Sequence, residues 1–135
     1  MGSPTKEGAA AAASHFMALF TYVNATGDLT EWDALASPDC NFCAGVRQDV
    51  EDRRSRGERN VGAVRVLASQ GTEVDPGRWY SARLHVIIDE SRDIGADDTV
   101  LEVHPQEEHQ IDVVLTWSGD AWVIDEIGPA AIPTT

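Results

Sequence analysis

Positive charge is scarce in this chain: Lys6 is its only lysine, and ten basic residues face 23 acidic ones for a formal net charge of −13. Such a surface repels phosphate backbones and anionic headgroups, which excludes nucleic acid and bare anionic lipid as partners. No stretch approaches eighteen apolar residues, so no segment reads as a membrane-spanning helix. No signal peptide is legible either. Met1-Gly2-Ser3 leads straight into Pro4 and reads as a cloning scar, with a native N-terminus, and a signal or anchor, expected upstream. A G-x-G-x-x-G turn, the calcium-loop spacing D-x-D-x-D-G, an internal repeat and a low-complexity linker are all missing. Dinucleotide binding on a βαβ unit and EF-hand chemistry go with them.

What is present is an ordinary globular composition. The chain has 135 residues, 42% of them hydrophobic, enough for one domain with its own core. Residues 1–6 read as a leader and residues 7–135 as a single domain. From Glu7 an alanine run leads into Phe16, Leu19, Phe20 and Val23, spaced as one apolar stripe of a helix that stops at Asn24-Ala25-Thr26-Gly27. A short second helix is predicted over Thr30–Ala36, capped by Asp28 or Thr30 and broken at Ser37-Pro38-Asp39. A third runs from Asn41 to Ser55, with Phe42, Val46 and Val50 at four-residue spacing and Gly57 closing it.

After Gly57 the period becomes two. Strands are predicted over Val61–Ser69, Trp79–Glu90, Val100–His104, Gln110–Trp117 and Ala121–Ile127, with turns at Asp75-Pro76-Gly77 and Ser118-Gly119-Asp120. The tail Gly128–Thr135 is too rich in proline for another central strand. Asp89 to Asp98 reads as a solvated acidic loop, and Glu107-Glu108-His109 as a polar turn. Helices first and strands after, joined by short turns, make an α+β fold: three N-terminal helices, then an antiparallel sheet of four to five strands.

Cys40 and Cys43, the only cysteines, leave several readings open. With His104 and His109 they write out a Cys2His2 zinc set, although some sixty residues separate the halves. As a C-x-x-C at a helix N-terminus they suit a thiol–disulfide centre, but the motif lacks the preceding strand of a βαβ unit. They can form a structural disulfide, or pack as two free thiols.

Three stretches carry a resemblance. Glu7-Gly8-Ala9 through Phe16, then Ala25–Asp28 with Trp32 to Cys43 (W-x-x-L-A-S-P-D-C-x-x-C), resemble a family of actinobacterial cell-envelope proteins, often lipoproteins. Leu115 to Ile127, LTWSGDAWVIDEI, resembles the closing hairpin of the nuclear-transport-factor-2-like (cystatin-like) cone fold. The resemblance implies a curved sheet wrapped around a long first helix, with a pocket at the open end. It implies export, with membrane attachment only through a lipid anchor that this chain does not contain. Export in turn favours the Cys40–Cys43 disulfide. By analogy with cone folds, a homodimer through the outer face of the sheet is expected. No activity comes with the resemblance.

Cone-fold enzymes project an acid or a His–Asp pair into the cone. Here His15 with Asp125, or His85 with Asp112, are the candidates, His acting as base and the carboxylate setting its tautomer. The plainer reading is a solvated sheet face. Trp79, Tyr80, Trp117 and Trp122 are either cross-strand and core packing or the rim of a site for an apolar ligand. The sequence therefore reads as an extracytoplasmic binding or interaction module without cofactor or metal, whose partner is a small apolar ligand or an envelope protein. A cofactor-free isomerase- or dehydratase-like enzyme is the first alternative, and a thiol–disulfide protein the second.

Overall fold

Thr5 opens the fold: its hydroxyl accepts a 3.0 Å hydrogen bond from the Gly8 N–H and caps the first helix, α1 (Lys6–Thr26). The computed structural model describes residues 2–130. Within them α1 is followed by α2 (Thr30–Leu35), α3 (Asn41–Ser55) and strands β1 (Arg59–Val61), β2 (Val64–Asp75), β3 (Trp79–Ile88), β4 (Ser91–Ile94), β5 (Val100–His104), β6 (Glu107–Trp117) and β7 (Trp122–Pro129). The order is α+β, as the sequence predicts.

Side-chain size sets how closely α1 lies on the sheet. Ala9, Ala12 and Ala13 leave almost no bulk between helix and strands, and all three are buried. The start of the helix presses hardest: a Cβ on Gly71 of β2 would overlap the Lys6 carbonyl oxygen. Glycine is what lets the two backbones approach there. Further along, Phe16, Leu19 and Val23 fill the core, with Met17 beside them. Phe20, expected in the same stripe, is only half-buried. Gly27 ends the helix in the left-handed region at φ 77° and donates to the Val23 carbonyl.

β2, β3, β6 and β7 form a four-stranded antiparallel sheet in that order. Its inner face presents Tyr80, Ala82, Leu84 and Val86 of β3, Val113 and Leu115 of β6, and Ile124 and Ile127 of β7, all buried in the core that contains α1. Register shifts in β2, and at Asp125 of β7 opposite Val114 and Leu115 of β6, mark bulges that bend the sheet around the helix. Trp32 of α2 is fully buried, stacked on Phe16 at 3.9 Å between ring centroids, and its indole N–H donates to the Cys43 carbonyl at 3.2 Å.

The larger sheet has the four strands that the pattern suggests, and the remaining strands add to it. β1, β4 and β5 make a second, three-stranded antiparallel sheet. It continues the β2–β3 hairpin past a break at Gly62-Ala63 and Asp89-Glu90. Val64 pairs with Ile88 before the break, and Val61 with Arg92 after it. A Cβ on Gly62 would run into Ser91, so glycine lets the two segments cross closely at the bend. The stretch expected as an acidic loop thus contains β4. Acidic side chains there face solvent or polar partners while the backbone is paired on both sides.

Further boundaries differ: Glu107-Glu108-His109, expected as a polar turn, open β6. β2 runs on to Asp75 through Gln70-Gly71-Thr72-Glu73, which have no apolar alternation because β2 is an edge strand with an exposed far end. β7 runs on to Pro129, tolerated because β7 is the other edge. The leader is tied down as well, since the Tyr80 hydroxyl donates to the Pro4 carbonyl at 2.6 Å. Residues 131–135 of the expected tail lie outside the described residues. Among the described residues no helix is long and apolar enough to cross a membrane.

Candidate apolar binding groove

The inner face of the larger sheet is left partly uncovered at one end, beside α1 and the start of α3. A groove of about 290 Å³ opens there. Met17 and Phe20 come from α1, Phe42 from α3, Val86 and Ile88 from β3, His109, Gln110 and Ile111 from β6, and Ile127, Gly128 and Pro129 from β7. Phe20 and Phe42 stack side by side, ring centroids 6.3 Å apart and planes 27° from parallel. Phe42 also approaches Trp32 at 6.5 Å, so an aromatic row runs from the groove wall back into the core.

The wall is anchored by a carboxylate. Glu126 of β7 accepts from the N–H groups of Asn41 (3.0 Å), Phe42 (3.1 Å) and Ile127 (3.1 Å). It caps α3 from outside the helix. The Phe42 N–H bond holds its carboxyl below the usual range; burial works the other way, and the Asn41 and Ile127 N–H bonds add to the lowering. At the groove rim, His109 Nε2 lies 3.3 Å from Glu107 Oε2, both side chains exposed.

Cys40 and Cys43 are joined in a disulfide inside the first turn of α3, with side chains almost completely buried. Cys40 Sγ accepts from the Cys43 N–H at 3.2 Å and lies 3.7 Å from Glu126 Oε1. A thiolate at Cys40 would therefore face an ionised carboxylate that already takes the helix N–H groups, the opposite of the electropositive setting of a reactive cysteine. Sulfurs bonded to each other also do not complete the zinc set with His104 and His109.

The catalytic candidates do not converge. His15 Nε2 lies 2.6 Å from Glu31 Oε1, not near Asp125. Asp125 accepts from the Thr116 hydroxyl. His85 Nε2 lies 2.8 Å from Glu108 Oε2 on the outer sheet face, while Asp112 takes a two-pronged contact from Arg83 at 2.9 and 3.1 Å. None of these four residues lines the groove. Of the aromatic candidates, Tyr80 and Trp122 are buried and meet edge to face at 5.0 Å, and Trp117 meets Trp122 across the β6–β7 turn at 5.1 Å. Trp79, the first residue of β3, is 45% exposed at the end of the sheet. They pack the end of the sheet at the β6–β7 turn, away from the groove lining. The groove's own aromatics are Phe20 and Phe42. Their signal is present in the sequence: apolar residues at 16, 17, 19, 20 and 23 make a stripe wider than one core face requires.

A second cluster has no signature in the sequence. On the small sheet, Asp93 lies 2.8 Å from His104 Nε2, accepts from Asn60 at 2.9 Å and faces Arg53 at 3.9 Å, with Glu102 beside His104. The ligand atoms of Asp93, Glu102 and His104 fall within 4.8 Å of one another. Asn60 and Arg53 already take up Asp93, which makes this a structural polar junction between α3 and the small sheet.

Residues 1–128 match the family described as "Family of unknown function (DUF6318)". The chain belongs to this family. No curated protein matches the sequence. Among solved structures, this DUF6318 chain is similar to the intermembrane space region of chloroplast protein ARC6, with a TM-score of 0.67 and 12% identity, over 95% of this chain and 98% of that one. At that identity the likeness is one of fold.

Proposed function

We propose that this protein is an extracytoplasmic binding module of the cell envelope that holds an apolar ligand between Phe20, Phe42 and the open end of its larger sheet. One observation carries the reading: a groove of about 290 Å³, with apolar side chains on every wall, left open between α1, α3 and the sheet. That volume stands at the lower end of the range for small-molecule sites, roughly 300–1,000 Å³. The disulfide supports an oxidising compartment. The family resemblance in the N-terminal half supports attachment to the envelope through a lipid anchor. The ARC6 domain of similar fold is an intermembrane space region, in keeping with a fold used outside the cytosol.

An acid–base enzyme finds less support. In this groove it would have to work through His109 and Glu107, both open to solvent, because the buried environment that tunes a catalytic group is not built around either.

Nile red titration tests the reading. Wild-type protein is expected to raise and blue-shift its emission with saturation at one equivalent, and Phe20→Ala with Ile111→Ala is expected to weaken the affinity at least tenfold while the thermal transition persists. Binding that the double substitution leaves unchanged would place the dye elsewhere and sink the proposal.

A further inference from the structure

If the groove binds an apolar body, its surroundings also select the head group. We infer that the preferred ligand is a single-chain amphiphile with a cationic head, an amine or quaternary ammonium. This rests on the reading of the groove as a ligand site and adds the charge of the occupant.

Four observations carry it. First, the groove lining contains no lysine or arginine, so an anionic head would enter without a counter-charge. Second, Phe20 and Phe42 stand half-buried with nearly parallel rings 6.3 Å apart. An aromatic face attracts a cation through its quadrupole, and quaternary ammonium is the ion that aromatic pockets recognise best. Third, the Glu126 carboxylate is bonded to the N–H groups of Phe42 and Ile127, both of which line the groove, and Glu107 borders the other rim beside His109. Fourth, the whole chain carries a net charge of −13, which adds a background field of the same sign. The volume limits the body: at ~30 Å³ for each water-sized group, the groove takes roughly ten such groups, the size of a medium-length alkyl chain.

The experiment displaces Nile red from the full chain with three ten-carbon amphiphiles below their micellar concentrations. These are decyltrimethylammonium, decyl maltoside and decanoate, at pH 8 and low salt. Decyltrimethylammonium is expected to displace the dye at a concentration at least tenfold below decanoate, with the maltoside between them, and added salt is expected to narrow the gap. Phe20→Leu keeps an apolar wall but removes one ring. It is expected to cut the preference for the cation over the maltoside by fivefold or more, read as the ratio of the two displacement midpoints so that any common loss of apolar affinity cancels. Glu107→Gln, an exposed substitution, is expected to reduce the same preference without moving the thermal transition. Equal displacement by decanoate overturns the inference and leaves the apolar groove standing. So does an unchanged cation preference in Phe20→Leu, which would mean adsorption to the acidic surface. Failure of Nile red itself to bind overturns both.

Discussion

Glu126 and Asn41 stand 85 residues apart in the chain, yet the Glu126 carboxylate accepts from the Asn41 N–H at 3.0 Å. With Phe42 as a second donor at 3.1 Å, a residue of the last strand caps the third helix and fixes the wall of the groove. Helix α3 begins at Asn41 with no acidic residue in its first turn, so this carboxylate supplies the charge that a helix N-terminus favours. Glu126→Gln is expected to cost about 1 kcal/mol near pH 7, the usual worth of a cap. The folded carboxyl sits below its ordinary value near 4.5. Its contribution is therefore present above about pH 4.5 and is lost as pH falls through the lower folded value. Urea midpoints of the two proteins should differ at neutral pH and converge in acid.

The Cys40–Cys43 bridge closes a loop of about four residues, for which chain entropy gives about 2 kcal/mol. Cys43→Ala leaves Cys40 in place and is expected to lower stability by about that amount in oxidising buffer, with wild type falling to meet it under strong reductant. Both sulfurs are shielded, with Cys40 1% and Cys43 3% exposed. Mild thiol at neutral pH should consequently leave the bond intact, read as no alkylated cysteine by mass spectrometry. Ready reduction would revive the thiol–disulfide alternative.

Two glycines should answer alanine in opposite ways. At Gly71 the added methyl meets the Lys6 carbonyl, so α1 must lift from β2 at a cost of about 1–3 kcal/mol. At Gly45, inside α3, nothing lies within 4 Å of the added carbon. Gly45→Ala should stabilise by about 0.5–1 kcal/mol through helix propensity alone. A pair of thermal melts decides, and a neutral Gly71→Ala would refute the close approach.

His104 and Asp93 set a pH window for the small sheet. The bond to Asp93 raises the imidazole above its ordinary 6.5; burial opposes, and the charges of Asp93 and Glu102 outweigh Arg53. For Asp93, burial favours the neutral acid. Bonds from Asn60 and His104, with the positive charges of His104 and Arg53, overcome it and hold the carboxyl below 3.8. The His104 contribution is full below about pH 6.5 and disappears as pH rises through its higher folded value. The Asp93 contribution is present above about pH 3.8 and is lost below it. The gap in melting temperature between wild type and His104→Gln should be widest between about pH 4 and 6.5 and shrink in alkali. A gap that is flat with pH would count against the pair, as would a His104 NMR titration at or below 6.5.

Local chemistry makes much of this fold readable. The third helix is expected at Asn41 to Ser55 and lies there, because a break at Ser37-Pro38, a run of helix formers and Gly57 all act within a few residues. The inner faces of β3 and β6 are readable for the same reason: alternation puts Tyr80, Ala82, Leu84 and Val86 on one side wherever the strand pairs. Strand β4 is not, since Ser91-Arg92-Asp93-Ile94 is polar, and its place in a sheet comes from β1 and β5 rather than from its own side chains. The polar end of β2 hides for the same reason. The groove is half visible, as an apolar stripe on α1 too wide for one contact.

By itself the sequence determined the acidic surface, the order of helices before strands and the short span between the cysteines, because these depend on residue type and near neighbours. The tertiary structure alone decided that Glu126 caps α3, that one hairpin serves two sheets, that His85 meets Glu108 while Arg83 meets Asp112, and that Phe20 faces a groove. Those outcomes depend on where bends at Gly62 and the bulges of β2 and β7 carry distant residues. Register between remote strands is set by the packed core as a whole and by no local signal.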